Sequence, residues 1–209
     1  MKKLAFDPLN IVICGIGGQG NVLASEIVGN TLCDMGYRVA VGETYGASQR
    51  GGSVMSHVRV SETEELGALI PSGEAHIIIG FEPLETLRMA RRYAGGDTVV
   101  IYDPRPVYPQ GVLTGEQQYP DIDGLIAEIA EVSKEAHTVS AADIAMSVGD
   151  SRAANIALLG AFSTLESSPI SKEDLREVIT KRFKGAVLDM NVKAFELGAA
   201  SMEEKGGAR

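Results

Sequence analysis

Ile11-Val12-Ile13-Cys14-Gly15-Ile16-Gly17-Gly18-Gln19-Gly20-Asn21 is the stretch that decides how this chain is read. A short apolar run enters a glycine turn, and an amphipathic run leaves it. That order is strand, turn, helix. Glycine lets the backbone adopt conformations that a side chain forbids and lets a ligand approach the main chain. The N–H groups opening the next helix face the same gap, and the helix dipole favours negative charge there. Gly15, Gly17 and Gly20 fit the dinucleotide fingerprint, and Glu43 stands about where a ribose-binding acid is found. The same turn would also serve only to pack a helix closely on a sheet.

Outward from the turn, Leu23, Ile27, Val28, Leu32 and Met35 recur at helical period, and Gly36 supplies a stop. Arg38 to Gly42 reads as a second strand. Thr44 to Ser53 is rich in Gly, Ser and Gln, and Val54 to Val60 alternates like a strand with one buried face. A parallel crossover needs a dozen or more residues, usually with a helix. The short loop between the second and third strands therefore departs from an ordinary dinucleotide-binding half. In that loop Arg50, among small residues, could reach an anion with its forked guanidinium, or be merely solvated.

Farther along, Ile77 to Phe81 and Thr98 to Tyr102 read as buried strands. A helix between them opens at Pro83, with Leu84, Leu87 and Ala90 inward and Arg88, Arg91 and Arg92 outward. Residues 103–120 read as an excursion or a short edge hairpin around Gly111-Val112-Leu113. Ile122, Leu125, Ile126, Ile129 and Val132 mark a helix, and His137-Thr138-Val139 a last strand. Three helical patterns close the chain: Ala141 to Leu165 with a break near Gly149, one opening at the Ser171–Asp174 capping signature, and Ala186 to Ala199. The expected fold is α/β: a Rossmann-like, open, mostly parallel sheet with helices on both faces and a C-terminal helical segment. One domain over residues 1–202 is expected, with a loose tail over 203–209.

The chain has 209 residues, 44% of them hydrophobic, and a net charge of −9. That charge disfavours a broad grip on nucleic acid. No run approaches the roughly 20 apolar residues of a membrane helix. Asp7 and Pro8 interrupt the basic start, so no signal peptide and a cytoplasmic place are expected. The two cysteines, Cys14 and Cys33, lack metal-site spacing and read as small buried residues. His57, His76 and His137 are scattered and read as structural; Met146 and Met190 read as core. No catalytic set and no metal ligands emerge.

Gly15 to Gly20, then Tyr45-Gly46-Ala47-Ser48-Gln49-Arg50-Gly51-Gly52-Ser53 and Val58-Arg59-Val60, together resemble the gamma domain of the 2-oxoacid:ferredoxin oxidoreductases, which act on pyruvate, ketoisovalerate or indolepyruvate. Asn155 to Ala161 and Asn191 to Gly198 agree with it. The strongest resemblance is to the beta subunit of the indolepyruvate branch. The resemblance implies a subunit that is not catalytic by itself, helping to bind coenzyme A and covering the thiamine diphosphate site of a large partner. Thiamine diphosphate, magnesium and iron–sulfur clusters would lie on that partner, and electrons would leave to ferredoxin. The positions it carries over as cofactor-binding are Gly17, Gly18, Gln19, Gly20, Gln49, Arg50, Gly51 and Gly52. Two other readings stay open: an NAD-dependent dehydrogenase using Glu43, and a pure assembly module.

Overall fold

The computed structural model describes residues 2–45 and 52–206. Its sheet has six strands: β1 (Leu9–Ile16), β2 (Arg38–Tyr45), β3 (Ser53–Ser61), β4 (Ala75–Gly80), β5 (Ala94–Tyr102) and β6 (Glu135–Thr138), in the order β2-β3-β1-β4-β5-β6. β3 pairs antiparallel with both β2 and β1, while β1–β4, β4–β5 and β5–β6 are parallel. All strands but β3 thus run one way. The missing crossover helix has its consequence here. β2 and β3 form an antiparallel pair from Arg38↔Ser61 to Tyr45↔Val54, and β3 inserts between β2 and β1.

Alternation along β1 separates two cores. Ile11 and Ile13 face the layer of α1 (Asn21–Asp34), α5 (Ala141–Ser147), α6 (Ala154–Ser163), α7 (Lys172–Arg182) and α8 (Gly185–Gly206). Val12 and Cys14 face α2 (Pro83–Tyr93) and α4 (Ile122–Glu131). Period-two alternation on a doubly covered sheet makes both sets apolar. β3, expected to bury one face, is buried on both. α1 covers one side, and on the other Ile70 donates its N–H to His57 Nδ1 at 3.2 Å.

The helices begin where local chemistry starts them. Glu82 caps α2 by accepting the Glu85 N–H at 2.7 Å, ahead of Pro83. Asp121 caps α4, and Ser171 with Asp174 forms the expected capping box of α7. The long C-terminal pattern does break at Gly149 (φ +102), after which a 3-10 turn (Ser151–Ala153) leads into α6.

Several expectations need correction. The Gly111-Val112-Leu113 hairpin is instead a four-residue helix, α3 (Gln110–Leu113). The last strand is Glu135–Thr138, shifted toward the N-terminus. Cys33 is exposed, because it falls on the outer face of α1; Cys14 is buried. Met146 is 61% exposed on the short α5, whose inward residues are Ala141 and Ala145. α8 continues beyond Glu203 to Gly206. Among the described residues, no helix is long and apolar enough to cross a membrane.

Candidate functional site

After β1 the chain turns through α1 toward β2 on one side of the sheet. After β4 it turns through α2 toward β5 on the other. The crevice at the carboxyl ends of β1 and β4 is therefore the switch point where open α/β sheets take ligands. The glycine turn occupies it. Gly18 and Gly20 have φ of +107° and +89°, a region that excludes ordinary side chains. Around Gly18 a Cβ would meet nothing within 4 Å, so its backbone is open to an incoming group. At Gly20 a Cβ would fall 2.4 Å from Asn155 Nδ2.

The turn is held from three directions. Gln19 Oε1 accepts the Ile16 N–H at 2.7 Å, and Gln19 Nε2 donates to the Phe81 carbonyl at 2.9 Å. Gly17 donates its N–H to the Gly52 carbonyl at 2.9 Å. The first glycine segment thus touches the end of the second. Gly20 caps α1 without a side-chain hydrogen bond, and the first turn of α1 carries no acid.

A cleft of about 500 Å³ opens beside the turn. Gly18, Gln19 and Gly20 form one wall; Phe81 and Asp103, beyond the ends of β4 and β5, lie at another; Met146, Arg152 and Asn155 close the third. A second cleft of about 620 Å³ flanks the other side of the turn, along Gly17, Asn21 and Val54. Arg182 pairs with Glu26 across its rim at 2.8 Å.

The charges around the first cleft are organised. Asp103 is buried, with Oδ1 accepting the Arg105 N–H at 2.9 Å and Oδ2 the Ala142 N–H at 2.7 Å. Burial pushes its carboxyl up, and those two N–H donors partly restrain it. The Arg105 guanidinium stands 3.5 Å from Asp143, on the exposed rim. Asp150 receives Arg152 Nε at 2.9 Å and is drawn down to about 2 by that side chain. Behind the sheet end, Glu82 is raised by burial, and the Tyr119 hydroxyl donates to it. The Cys14 thiol is raised by burial and then by Glu85 and Glu82, so it stays protonated.

The structure brings Gly17, Gly18, Gln19, Gly20 and Gly52 together at one edge. Gln49, Arg50 and Gly51 lie outside the described residues. Gln19 has both ends of its amide engaged with the main chain. Glu43 accepts from Ser25 Oγ at 3.2 Å, on β2. With β3 between β2 and β1, Glu43 is not on the strand next to the glycine turn, where a ribose-binding acid stands in dinucleotide folds. That argues against the dehydrogenase reading. Two histidines are structural, as expected: His57 Nδ1 takes the Ile70 N–H, and His76 Nδ1 takes the Asn10 N–H at 3.1 Å. Among the described residues, no three His, Cys, Asp or Glu side chains are grouped to hold a metal.

Asp103, Arg105, Met146, Arg152 and Asn155 were not legible as site residues. One signal existed for Asp103 and Arg105: they follow directly on a buried strand of a parallel sheet, the position from which such sheets present functional groups. Asn155 and Arg152 join the site only because α6 and the 3-10 turn before it pack against the core under the glycine turn.

The family model described as pyruvate ferredoxin/flavodoxin oxidoreductase matches residues 10–201. The chain is 36% identical over 190 residues to the indolepyruvate oxidoreductase subunit IorB of Archaeoglobus fulgidus, covering 91% of this chain and 93% of that one. It is 37% identical over 199 residues to the IorB subunit of Thermococcus kodakarensis, covering 95% and 98%. In fold it resembles the 2-oxoglutarate:ferredoxin oxidoreductase of Magnetococcus marinus, whose structure has 2-oxoglutarate, coenzyme A and succinyl-CoA bound. The TM-score is 0.71 at 24% identity, over 95% of this chain and 32% of that longer one. The gamma subunit of a keto/oxoacid ferredoxin oxidoreductase from Geobacter sulfurreducens aligns with a TM-score of 0.66 at 21% identity, over 94% and 99%.

Proposed function

This chain belongs to the pyruvate ferredoxin/flavodoxin oxidoreductase family and is a subunit of an oxidoreductase, and we propose that it serves an arylpyruvate-type enzyme of the indolepyruvate kind. On this reading the subunit is required but not catalytic by itself. It helps to bind coenzyme A at the glycine turn and covers the active centre of a larger partner, in an oxidative decarboxylation whose electrons pass to ferredoxin. The nearly full-length likeness to IorB subunits supports the substrate class.

The observation that carries the binding role is the open backbone at Gly18, set at the switch point beside a cleft of about 500 Å³. An anionic cosubstrate suits such a place, because the N-terminus of α1 offers N–H donors and a favourable dipole. Coenzyme A is the acceptor present in the similarly folded Magnetococcus enzyme. Thiamine diphosphate, magnesium and iron–sulfur clusters fall to the partner on this reading. A cluster takes four thiolates, and this chain has two cysteines, one of them buried in β1.

Reconstitution tests the reading. The purified chain, added to its large partner, should confer coenzyme A-dependent reduction of ferredoxin with an arylpyruvate. Full activity of the partner alone would defeat it. The assembly-module reading has the Gly17–Gly52 bond in its favour, since that contact uses both glycine segments structurally. Calorimetry of coenzyme A on the complex separates the two. Arg50→Ala should weaken binding by about 1.5–3 kcal/mol if it meets a phosphate, and leave it unchanged if the loops serve assembly alone.

A further inference from the structure

One wall of the cleft beside the glycine turn carries a side chain whose donor end is unused. Asn155, the second residue of α6, is 3% exposed. Its Oδ1 accepts the Ile156 N–H at 2.8 Å, which fixes the orientation of the carboxamide. Nδ2 is therefore the end directed at the glycine turn, where it would stand 2.4 Å from a Cβ at Gly20. Among the described residues, no group accepts a hydrogen bond from Nδ2. The residue is almost wholly buried, and what remains accessible of it faces the cleft, so the free donor is presented to whatever enters there.

Its surroundings are donors as well. The N-terminus of α1 opens at Gly20 with no side-chain cap and no acid in its first turn. Arg105 and Arg152 stand on the rim of the same cleft, paired with Asp143 and Asp150 respectively. The buried acid, Asp103, has both oxygens committed to main-chain N–H groups. A ligand that satisfies Asn155 and the uncapped start of α1 brings acceptors, and the helix dipole favours negative charge on them. We propose that Asn155 donates from Nδ2 to a phosphate oxygen of the ligand seated against Gly18–Gly20, so that this flank of the turn, rather than the Val54 flank, holds the phosphate-bearing part of coenzyme A. The proposal rests on the coenzyme A reading above and assigns it a place and a residue.

The test uses the reconstituted complex with Asn155→Asp, which keeps the shape and the acceptor for Ile156 but replaces the donor with a carboxylate. The KM for coenzyme A and the Ki of ADP, a competitor with phosphates and no thiol arm, should each rise about tenfold or more. The effect should fall on KM, with kcat at saturating coenzyme A and the KM for the arylpyruvate retained. Arg152→Gln, on the exposed rim, gives a second arm that leaves the core untouched, and should raise the same two constants severalfold. An unchanged KM for coenzyme A in both variants overturns the proposal. So does a shift in the arylpyruvate KM instead, which would make the bound acceptor the substrate carboxylate. If Arg50→Ala weakens coenzyme A while both of these variants do not, the assignment to this flank fails and the function stands. If ADP does not compete with coenzyme A in the parent complex and none of the three variants matters, the coenzyme A reading itself fails.

Discussion

Gln19 Nε2 donates to the carbonyl of Phe81 at 2.9 Å, across the crevice between the ends of β1 and β4. The same carboxamide takes the Ile16 N–H at 2.7 Å. One side chain thus closes the glycine turn on itself and ties it to the neighbouring strand. Removing it leaves two main-chain groups without partners at a partly buried edge.

Gln19→Ala should therefore lower the unfolding free energy by about 2 kcal/mol, read from urea denaturation of the isolated chain. Gln19→Glu keeps the acceptor for Ile16 but sets a carboxylate against a carbonyl. Its deficit should shrink as pH falls through the carboxylate range, because the protonated acid regains a donor. A deficit that does not change with pH would show that the bond to Phe81 contributes nothing.

α6 and α8 approach at backbone distance. A Cβ at Gly198 would fall 1.9 Å from the Ala157 carbonyl oxygen, and one at Gly160 would fall 2.1 Å from that of Phe195. Neither helix can yield without moving its neighbours in the core. Gly198→Ala should cost about 3 kcal/mol through overpacking and lower the thermal midpoint; an unchanged midpoint would rule out this close crossing.

His57 is buried in β3, with Nδ1 accepting the Ile70 N–H. Burial, then Arg92 and Arg59, hold its pKa below the ordinary 6.5. The unfolded chain thus binds this proton at a higher pH than the folded one. The stability it contributes is complete above pH 6.5 and is lost as pH falls from there toward the folded value. His57→Gln should flatten that limb of the stability curve in part, since His76 is depressed in the same sense. An unaltered slope between about pH 5 and 7 would contradict this.

The Tyr119 hydroxyl donates to Glu82 and fastens the end of the 103–120 excursion to the start of α2. Burial raises the Glu82 carboxyl above its usual 4.5, and the Tyr119 bond restrains that rise. Tyr119→Phe should move Glu82 higher still, as followed by carboxyl-carbon NMR. Because this folded value lies above the unfolded one, ionising Glu82 costs stability. The variant should accordingly lose more stability than the parent as pH rises from 4.5 through the folded value. A downward shift of the Glu82 midpoint would refute the bond.

Much of this molecule is written in short-range pattern. The apolar run before Gly15, the helical period after Asn21, Pro83 behind a buried strand and the Ser171 box each act within a few residues. Local propensity and capping suffice to place them. The short span between β2 and β3 also announced the departure from a dinucleotide-binding half, because chain length alone forbids a helical crossover there. The paired glycine segments carried the family. Met146 misled because a methionine at helical spacing is as compatible with a cleft wall as with a core, and period alone does not say which face the fold covers.

What the sequence determined by itself was most of the elements, α3 excepted, their alternation and the family they belong to. It did not determine that β3 would stand between β2 and β1, which removes Glu43 from the strand beside the turn. Nor did it reveal that Gln19 would be consumed in bridging to Phe81, or that Asn155 would direct a donor at Gly20 from 135 positions away. Those outcomes depend on how helices and strands distant in the chain pack against one another. Hydrogen bonds and close contacts at the site arise from that packing and leave no periodic trace in the order of residues.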